Sequence, residues 1–292
     1  MKPPAFAYHD PETVDDALGL LAGLENARLL AGGQSLMPML NMRFLQPDHL
    51  IDLNRIGALA GIKREGDTVN MGAMTRQHAL ESDAELRLYL PIMAEALAQV
   101  GHRQTRNRGT IGGSLCHLDP AAELVSVALA LDATVSVRGR SSDRRVPLRE
   151  FAAAYMTPAI EVGEMVTAVA LCVPAAGSGQ CFLEFARRHG DFALASVAAI
   201  LEPDAQGNIA RAAIAIGGVG SVPVRLTAAE TMLADNRPDM TLFRAAAVHC
   251  AELDAQDDAI TPGWYRKQLA TTLTERALTV ASERMRRTGG PH

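Results

Sequence analysis

Lysine is almost missing from this chain: Lys2, Lys63 and Lys267 are the only three, so arginine carries nearly all the positive charge. The formal net charge is −5, which argues against a general nucleic-acid binder, because phosphate contacts along a polymer need a basic face. Cys116, Cys172, Cys181 and Cys250 show no Cys-x-x-Cys spacing and no neighbouring histidine ladder. That excludes a zinc site or an iron–sulfur cluster on this chain and leaves the thiols as reduced core residues. No apolar run approaches the about eighteen residues of a membrane span. Met1-Lys2-Pro3-Pro4, followed by Asp10, Glu12, Asp15 and Asp16, lacks the apolar segment of a signal peptide, and a cytoplasmic protein is expected. Two nucleotide signatures are missing as well. No Gly-x-Gly-x-x-Gly opens a strand–helix unit, and no Gly-Lys-Ser or Gly-Lys-Thr follows a glycine loop, so neither a Rossmann site nor a P-loop fits.

What is present is glycine in pairs. Ala31-Gly32-Gly33-Gln34-Ser35 follows an apolar run and precedes Leu36-Met37-Pro38-Met39-Leu40; Thr110-Ile111-Gly112-Gly113-Ser114 comes about eighty residues later. Adjacent glycines adopt positive φ without a Cβ clash and turn successive N–H groups into one concavity. Two such cradles, each followed by a hydroxyl, suit one ligand that carries more than one phosphate and is held from two sides. A backbone amide facing a charged oxygen contributes about 1.5–3 kcal/mol, against about 0.3–1 kcal/mol for an exposed helix dipole. A few amides per loop therefore suffice without a lysine. Arg103, Arg106 and Arg108 stand just before the second pair, where they serve either a small anionic ligand or a solvated loop.

The 292 residues, 48% hydrophobic and 21% charged, suit roughly two globular domains. The pattern is α+β. Asp10-Pro11 reads as a helix cap, with Val14, Ala17, Leu18, Leu21 and Leu24 on one face. Strands are expected at 27–31, 49–53 and 68–73, with Thr75 capping a short helix. Ile92, Met93, Ala96, Leu97 and Val100 form a helical stripe after Pro91, and Asp119-Pro120 reads as the cap of a helix that buries Leu124, Val125, Ala128 and Leu129. Pro174-Ala175-Ala176-Gly177-Ser178-Gly179 reads as a linker. Beyond it stand three strand-like runs at 180–186, 192–201 and 209–217, then helices, the last opened by Thr261-Pro262. The expected units are 1–53, 54–174, a linker at 175–180, a three-stranded sheet with helices at 181–286, and a loose tail at 287–292.

Three motifs in order resemble a known family. Ala31-Gly32-Gly33-Gln34-Ser35-Leu36 with Arg43 and Leu50-Ile51-Asp52-Leu53, Arg106-Asn107-Arg108-Gly109-Thr110-Ile111-Gly112-Gly113-Ser114-Leu115 running on to Asp119-Pro120-Ala121-Ala122-Glu123, and Arg187-Arg188-His189-Gly190-Asp191-Phe192-Ala193 resemble the FAD-carrying medium subunit of the bacterial molybdenum hydroxylases. Those are the relatives of xanthine dehydrogenase and aerobic carbon monoxide dehydrogenase. The resemblance implies a two-part FAD-binding domain of the vanillyl-alcohol-oxidase (PCMH) type and a C-terminal sheet backed by helices. Ala31, Gly32, Gly33, Gln34, Ser35 and Leu36, with Thr110, Ile111, Gly112, Gly113 and Ser114, would hold the FAD pyrophosphate and its neighbourhood. Glu123 would lie near the flavin's polyol chain, where Asp is the family's residue, and as a first-turn acid it also suits the helix dipole. Asp191 and Phe192 would lie near the isoalloxazine, though Phe192, at the start of an apolar run, also reads as core. Gln34 replaces the His of the CO-oxidising branch.

The resemblance further implies a small subunit with 2Fe–2S clusters, a large subunit with the molybdenum–pterin cofactor, a dimer of heterotrimers, and electron exit through FAD to an external acceptor such as NAD or a quinone. No metal ligand and no catalytic acid or base is expected here. Two rivals stand beside this reading. One is an autonomous FAD oxidase or dehydrogenase using His78, His102, His117 or His189, none of which pairs visibly with a nucleophile; the other is a flavin-free scaffold.

Overall fold

The computed structural model describes residues 1–288. The chain opens with β1 (Ala7–His9), α1 (Val14–Gly23), β2 (Ala27–Leu30), α2 (Leu36–Asn41) and β3 (His49–Asp52). The strands form a parallel sheet in the order β1-β3-β2. Ala17 and Leu18 of α1 pack with Ala27 and Ile51 beneath it, as the helical spacing predicts. The cap, however, is Thr13, whose Oγ1 accepts the Asp16 N–H at 3.1 Å. Asp10 pairs instead with Arg55 at 2.9 Å, and that competition displaces the expected Asp10-Pro11 start.

The second unit contains β4 (Ile62–Glu65), β5 (Thr68–Gly72), α3 (Gln77–Ser82), α4 (Ala84–Tyr89), α5 (Pro91–Gln99), α6 (Arg103–Arg108), α7 (Ile111–His117), α8 (Glu123–Ala130), β6 (Thr134–Arg138), β7 (Asp143–Pro147), α9 (Leu148–Phe151), β8 (Ala152–Ala154), β9 (Thr157–Pro158) and β10 (Met165–Cys172). Its sheet runs β4-β5-β10-β6-β7, antiparallel throughout. Thr75 caps no helix. It is buried and closes the turn at Gly61, accepting that residue's N–H at 3.0 Å and donating to its carbonyl at 2.9 Å. Asp119 does not cap α8 either: its Oδ1 accepts the Ala121 N–H at 2.8 Å, within the turn that leads to the helix.

Past Pro174 come β11 (Gly179–Phe185), β12 (Ala195–Pro203), β13 (Ile209–Gly217), β14 (Val224–Arg225), α10 (Thr227–Leu233), α11 (Met240–Ala247) and α12 (Gly263–Thr288). The meander is antiparallel, and β14 adds a fourth, two-residue strand. Helix α12 runs through 287 and 288, which were expected to be loose; 289–292 lie outside the described residues.

Both faces of this last sheet are covered. Cys181, Val197, Ala199, Ile214 and Ile216 face a core made with Phe243, Leu273, Ala277 and Leu278. The alternate residues Phe182, Ala198, Ile200, Ala213 and Ala215 join the large core of the second unit, with Leu97, Leu124 and Val127. The seam between the halves is thus a continuous apolar core. Edge strand β11 is anchored across it: the Phe182 N–H donates to Glu95 at 2.8 Å and Gln180 Nε2 to the Tyr89 carbonyl at 2.9 Å.

Candidate functional site

The first glycine pair lies where β2 ends and α2 begins. Gly33 has φ +73°, and the chain enters the helix through Ser35 at φ −104°, ψ −43°. That left-to-right change of hand aims successive amides to one side. Among the described residues, the N–H groups of Gly32, Gly33, Gln34, Ser35 and Leu36 donate to no protein acceptor. Gln34 folds its Nε2 back onto the Gly32 carbonyl at 3.2 Å. The result is a half-exposed row of donors with no negative group among them.

The second pair is different in kind. Ile111, Gly112, Gly113 and Ser114 form the first turn of α7, and their amides are spent inside the protein. Ile111 donates to the Thr75 carbonyl at 3.1 Å, Gly112 to that of Ala73 at 2.9 Å, Gly113 to the Thr110 Oγ1 cap at 3.0 Å and Ser114 to the Thr110 carbonyl at 3.1 Å. The expected second amide cradle is therefore corrected. Its glycines serve close approach: a Cβ on Gly112 would stand 2.6 Å from that of Ala73, and one on Gly113 would stand 3.6 Å from that of Ala31.

The two pairs meet. A Cβ on Gly32 would lie 2.2 Å from the Arg108 carbonyl oxygen and 2.9 Å from the Gly109 Cα, so only glycine lets β2 end against the α6–α7 junction. Three residues that the sequence reading missed hold this junction. Asn54 Nδ2 donates to the Ala31 carbonyl at 3.0 Å; Arg76 donates to Asn54 Oδ1 and to the Arg108 carbonyl, both at 2.5 Å; and Gln77 Nε2 donates to Ser114 Oγ at 2.9 Å. Burial, with Arg108 nearby, lowers the Arg76 pKa. Asn54 had one available signal, a polar residue just past the end of a parallel strand, where ligands of parallel sheets collect. A cleft of about 410 Å³ opens beside Asn54, Met74, Thr75 and Arg76. A larger hollow, about 720 Å³, lies over Tyr8, Asp10 and Asp15, away from both glycine pairs.

The 187–192 turn reaches the same region from the C-terminal half. The His189 ring lies 6.4 Å from that of His102, at the start of α6, whose other end touches Gly32. At 1.5 Å per residue the six-residue helix spaces these points by about 9 Å. Asp191 closes the turn through its N–H to the Arg188 carbonyl at 3.1 Å. Phe192 is not core. It is 72% exposed and precedes β12, so its ring is available to a ligand or a partner.

Glu123 is the first residue of α8 and only 9% exposed. Burial pushes its carboxyl up to about 8, with the charges of Glu184 and Asp119 adding to the rise. Among the described residues, no hydrogen bond joins the ring of His78, His102, His117 or His189 to a hydroxyl or thiol; His78 stands 3.9 Å from Glu81, and the His102 ring 6.4 Å from that of His189. Burial lowers the His117 pKa and raises the Cys116 thiol to about 12. Among the described residues no cluster of His, Cys, Asp and Glu fits a metal, and no helix is long and apolar enough to cross a membrane. Free amides on one loop and a backbone approach that excludes side chains fit a phosphate-bearing ligand laid over the junction.

Comparison with known proteins gives the same outline. The sequence profile of the FAD binding domain in molybdopterin dehydrogenase matches residues 4–175, and that of the CO dehydrogenase flavoprotein C-terminal domain matches residues 180–281. The chain is 42% identical to subunit alpha of the 6-hydroxypseudooxynicotine dehydrogenase complex of Paenarthrobacter nicotinovorans, over 99% of its own length and 98% of the relative's. It is 37% identical to the carbon monoxide dehydrogenase medium chain of Afipia carboxidovorans, over 97% and 99%. Among solved structures, carbon monoxide dehydrogenase from Hydrogenophaga pseudoflava matches with a TM-score of 0.94 and 36% identity, covering 97% of this chain and 99% of that one.

Proposed function

This chain belongs to the FAD-binding subunits of the molybdopterin dehydrogenases, and from that premise we propose that it is the electron-exit subunit of a heterotrimeric molybdenum hydroxylase. It is an oxidoreductase subunit, as its relatives are. FAD, held here, would supply one- and two-electron chemistry between the 2Fe–2S clusters of a small subunit and an external acceptor. The substrate is oxidised on a large subunit that holds the molybdenum–pterin cofactor, and the assembly is a dimer of such heterotrimers in the cytoplasm.

The residues of this chain bind and orient. The amides of Gly32, Gly33, Gln34, Ser35 and Leu36 would hold the pyrophosphate. Thr110, Ile111, Gly112, Gly113 and Ser114 wall the other side, contributing close contact and the Ser114 hydroxyl, with their amides kept for α7. Glu123 would receive the polyol chain, and Asp191 and the exposed Phe192 would border the isoalloxazine.

The observation that carries this reading is the unpartnered amide row at 32–36, set against a backbone that no Cβ can approach. The test is to co-express the chain with its neighbouring small and large subunits and assay flavin, iron and molybdenum. FAD on this chain with iron and molybdenum on the others is the expected result. A complex whose turnover with its acceptor is unchanged after flavin removal would overturn the electron-exit role. An isolated chain that oxidises an organic substrate by itself would replace it with an autonomous flavoenzyme.

A further inference from the structure

The turn that carries Asp191 and Phe192 has little of its own to hold it. Among the described residues one backbone bond closes it, from the Asp191 N–H to the Arg188 carbonyl at 3.1 Å, and another joins its feet, from the Leu194 N–H to the Phe185 carbonyl at 2.8 Å. Gly190, at φ +85°, sits against the His102 ring, where a Cβ would stand 2.9 Å from Cε1. Arg187, Arg188, His189 and Phe192 are exposed. Such a segment belongs to the low-stability end of a fold unless something anchors it.

The anchor comes from the far end of the chain. Arg266, in the first turn of α12, is only 11% exposed at its side chain. Its Nη1 donates to the Leu194 carbonyl at 2.9 Å and to the Gly218 carbonyl at 2.6 Å, and its Nη2 pairs with Asp258. Leu194 and Gly218 are both buried, and among the described residues no backbone N–H reaches either carbonyl. A planar fork suits this task, with one nitrogen serving two carbonyls and the other a carboxylate. Gly218 is itself a meeting point. Its N–H donates to the Pro120 carbonyl at 2.7 Å, in the turn ahead of Glu123, and a Cβ on it would stand 2.9 Å from the Ala193 carbonyl oxygen. Arg266 thus ties the C-terminal foot of the turn to the second unit. Phe192 is two residues from Leu194, within about 7 Å of it along the chain.

We propose that Arg266 is a positioning residue for the 187–192 turn: by fixing Leu194 it sets where Asp191 and Phe192 stand, without touching the flavin. The inference rests on the FAD reading above. It ties the flavin-facing turn to a helix 72 residues later.

The experiment has two arms, both on the full chain. In the first, flavin-free protein is digested briefly with trypsin, which cuts after the exposed Arg187 and Arg188 and, as an internal reference, after the exposed Arg140 between β6 and β7. Arg266→Met is expected to raise cleavage at the turn about tenfold relative to Arg140, and Arg266→Lys, which keeps a charged donor, only about threefold. An unchanged ratio overturns the inference. So does an equal rise at both places, because that marks a purely structural role. In the second arm FAD is titrated into wild type, Arg266→Met, Phe192→Ala and the double variant. Each single variant is expected to weaken FAD by about threefold, and the double variant by no more than the worse single one, because both act through one turn. Affinity untouched by Arg266→Met, or losses that add, overturn the inference. If Arg266→Met does not fold, Arg266→Lys replaces it in both arms, with the threefold ratio and the same failure to add. Wild type that takes up no FAD overturns the FAD reading itself, and the trypsin ratio then still decides whether Arg266 holds the turn.

Discussion

Glu184 and Glu123 make a pH signature that can be read on the flavin-free chain. An ordinary glutamate titrates near about 4.3 when unfolded, whereas burial holds these two at about 7 and about 8 in the fold. Between those values the folded chain binds more protons than the unfolded one, so stability falls as pH rises from about 5 to about 8. Urea melts across that window are expected to show the decline, and Glu184→Gln is expected to flatten it. Glu164 behaves oppositely. Arg144, at 2.6 Å, holds its carboxyl down at about 2, helped by Ser142 and the Glu161 N–H. Its contribution is present above the unfolded value and is lost as pH falls through about 2. Glu164→Gln should therefore melt below wild type at neutral pH and approach it in strong acid. Neither behaviour was legible in the sequence: Glu164 and Glu184 read as ordinary acids until pairing and burial set them apart.

The elements around the glycine pairs separate two uses of one dipeptide. At 32–33 the pair frees amides and admits a neighbouring backbone; at 112–113 it lets a helix pack tightly while its amides stay inside. Gly112→Ala is expected to destabilise by about 1–3 kcal/mol through overpacking against Ala73, seen as a lower urea midpoint. Gly32→Ala is expected to lower stability similarly and to weaken FAD more than riboflavin, because riboflavin has no pyrophosphate. Thr110→Val removes the α7 cap and should cost about 1 kcal/mol. The glycine pairs, the apolar helix faces and the meander were legible because each is a local pattern. The caps were less so. Asp10, Thr75 and Asp119 all sit at plausible starts, yet Asp10 is drawn off by Arg55, Thr75 by Gly61 and Asp119 by Ala121. Such competition is settled by residues distant in sequence or by a turn conformation that composition does not reveal. Asn54, Arg76 and Gln77 escaped notice for the same reason.

At the scale of the molecule, the Pro- and Gly-rich stretch at 174–179 invites a picture of two independent domains. The shared core contradicts independence, since Phe182, Ala198 and Ala215 pack with Leu97 and Leu124. Thermal unfolding of the full chain is expected to be one cooperative transition by both circular dichroism and calorimetry. Residues 1–175 made alone should expose that apolar face and bind a hydrophobic dye; a soluble, dye-silent fragment with a sharp melt would contradict the shared core. Helix α12, 26 residues long, is the last element among the described residues and packs along β11 and β12. On the ribosome the order of synthesis is then the reverse of what these two strands need, because β11 and β12, finished at Pro203, wait for the helix that begins only at Gly263. Through that interval the inward side can already settle on the completed first half and α10 and α11 can join the outward core, but the outward side of β11 and β12 still lacks α12. A nascent chain stalled before Gly263 should therefore recruit chaperones, and one released through Thr288 should not.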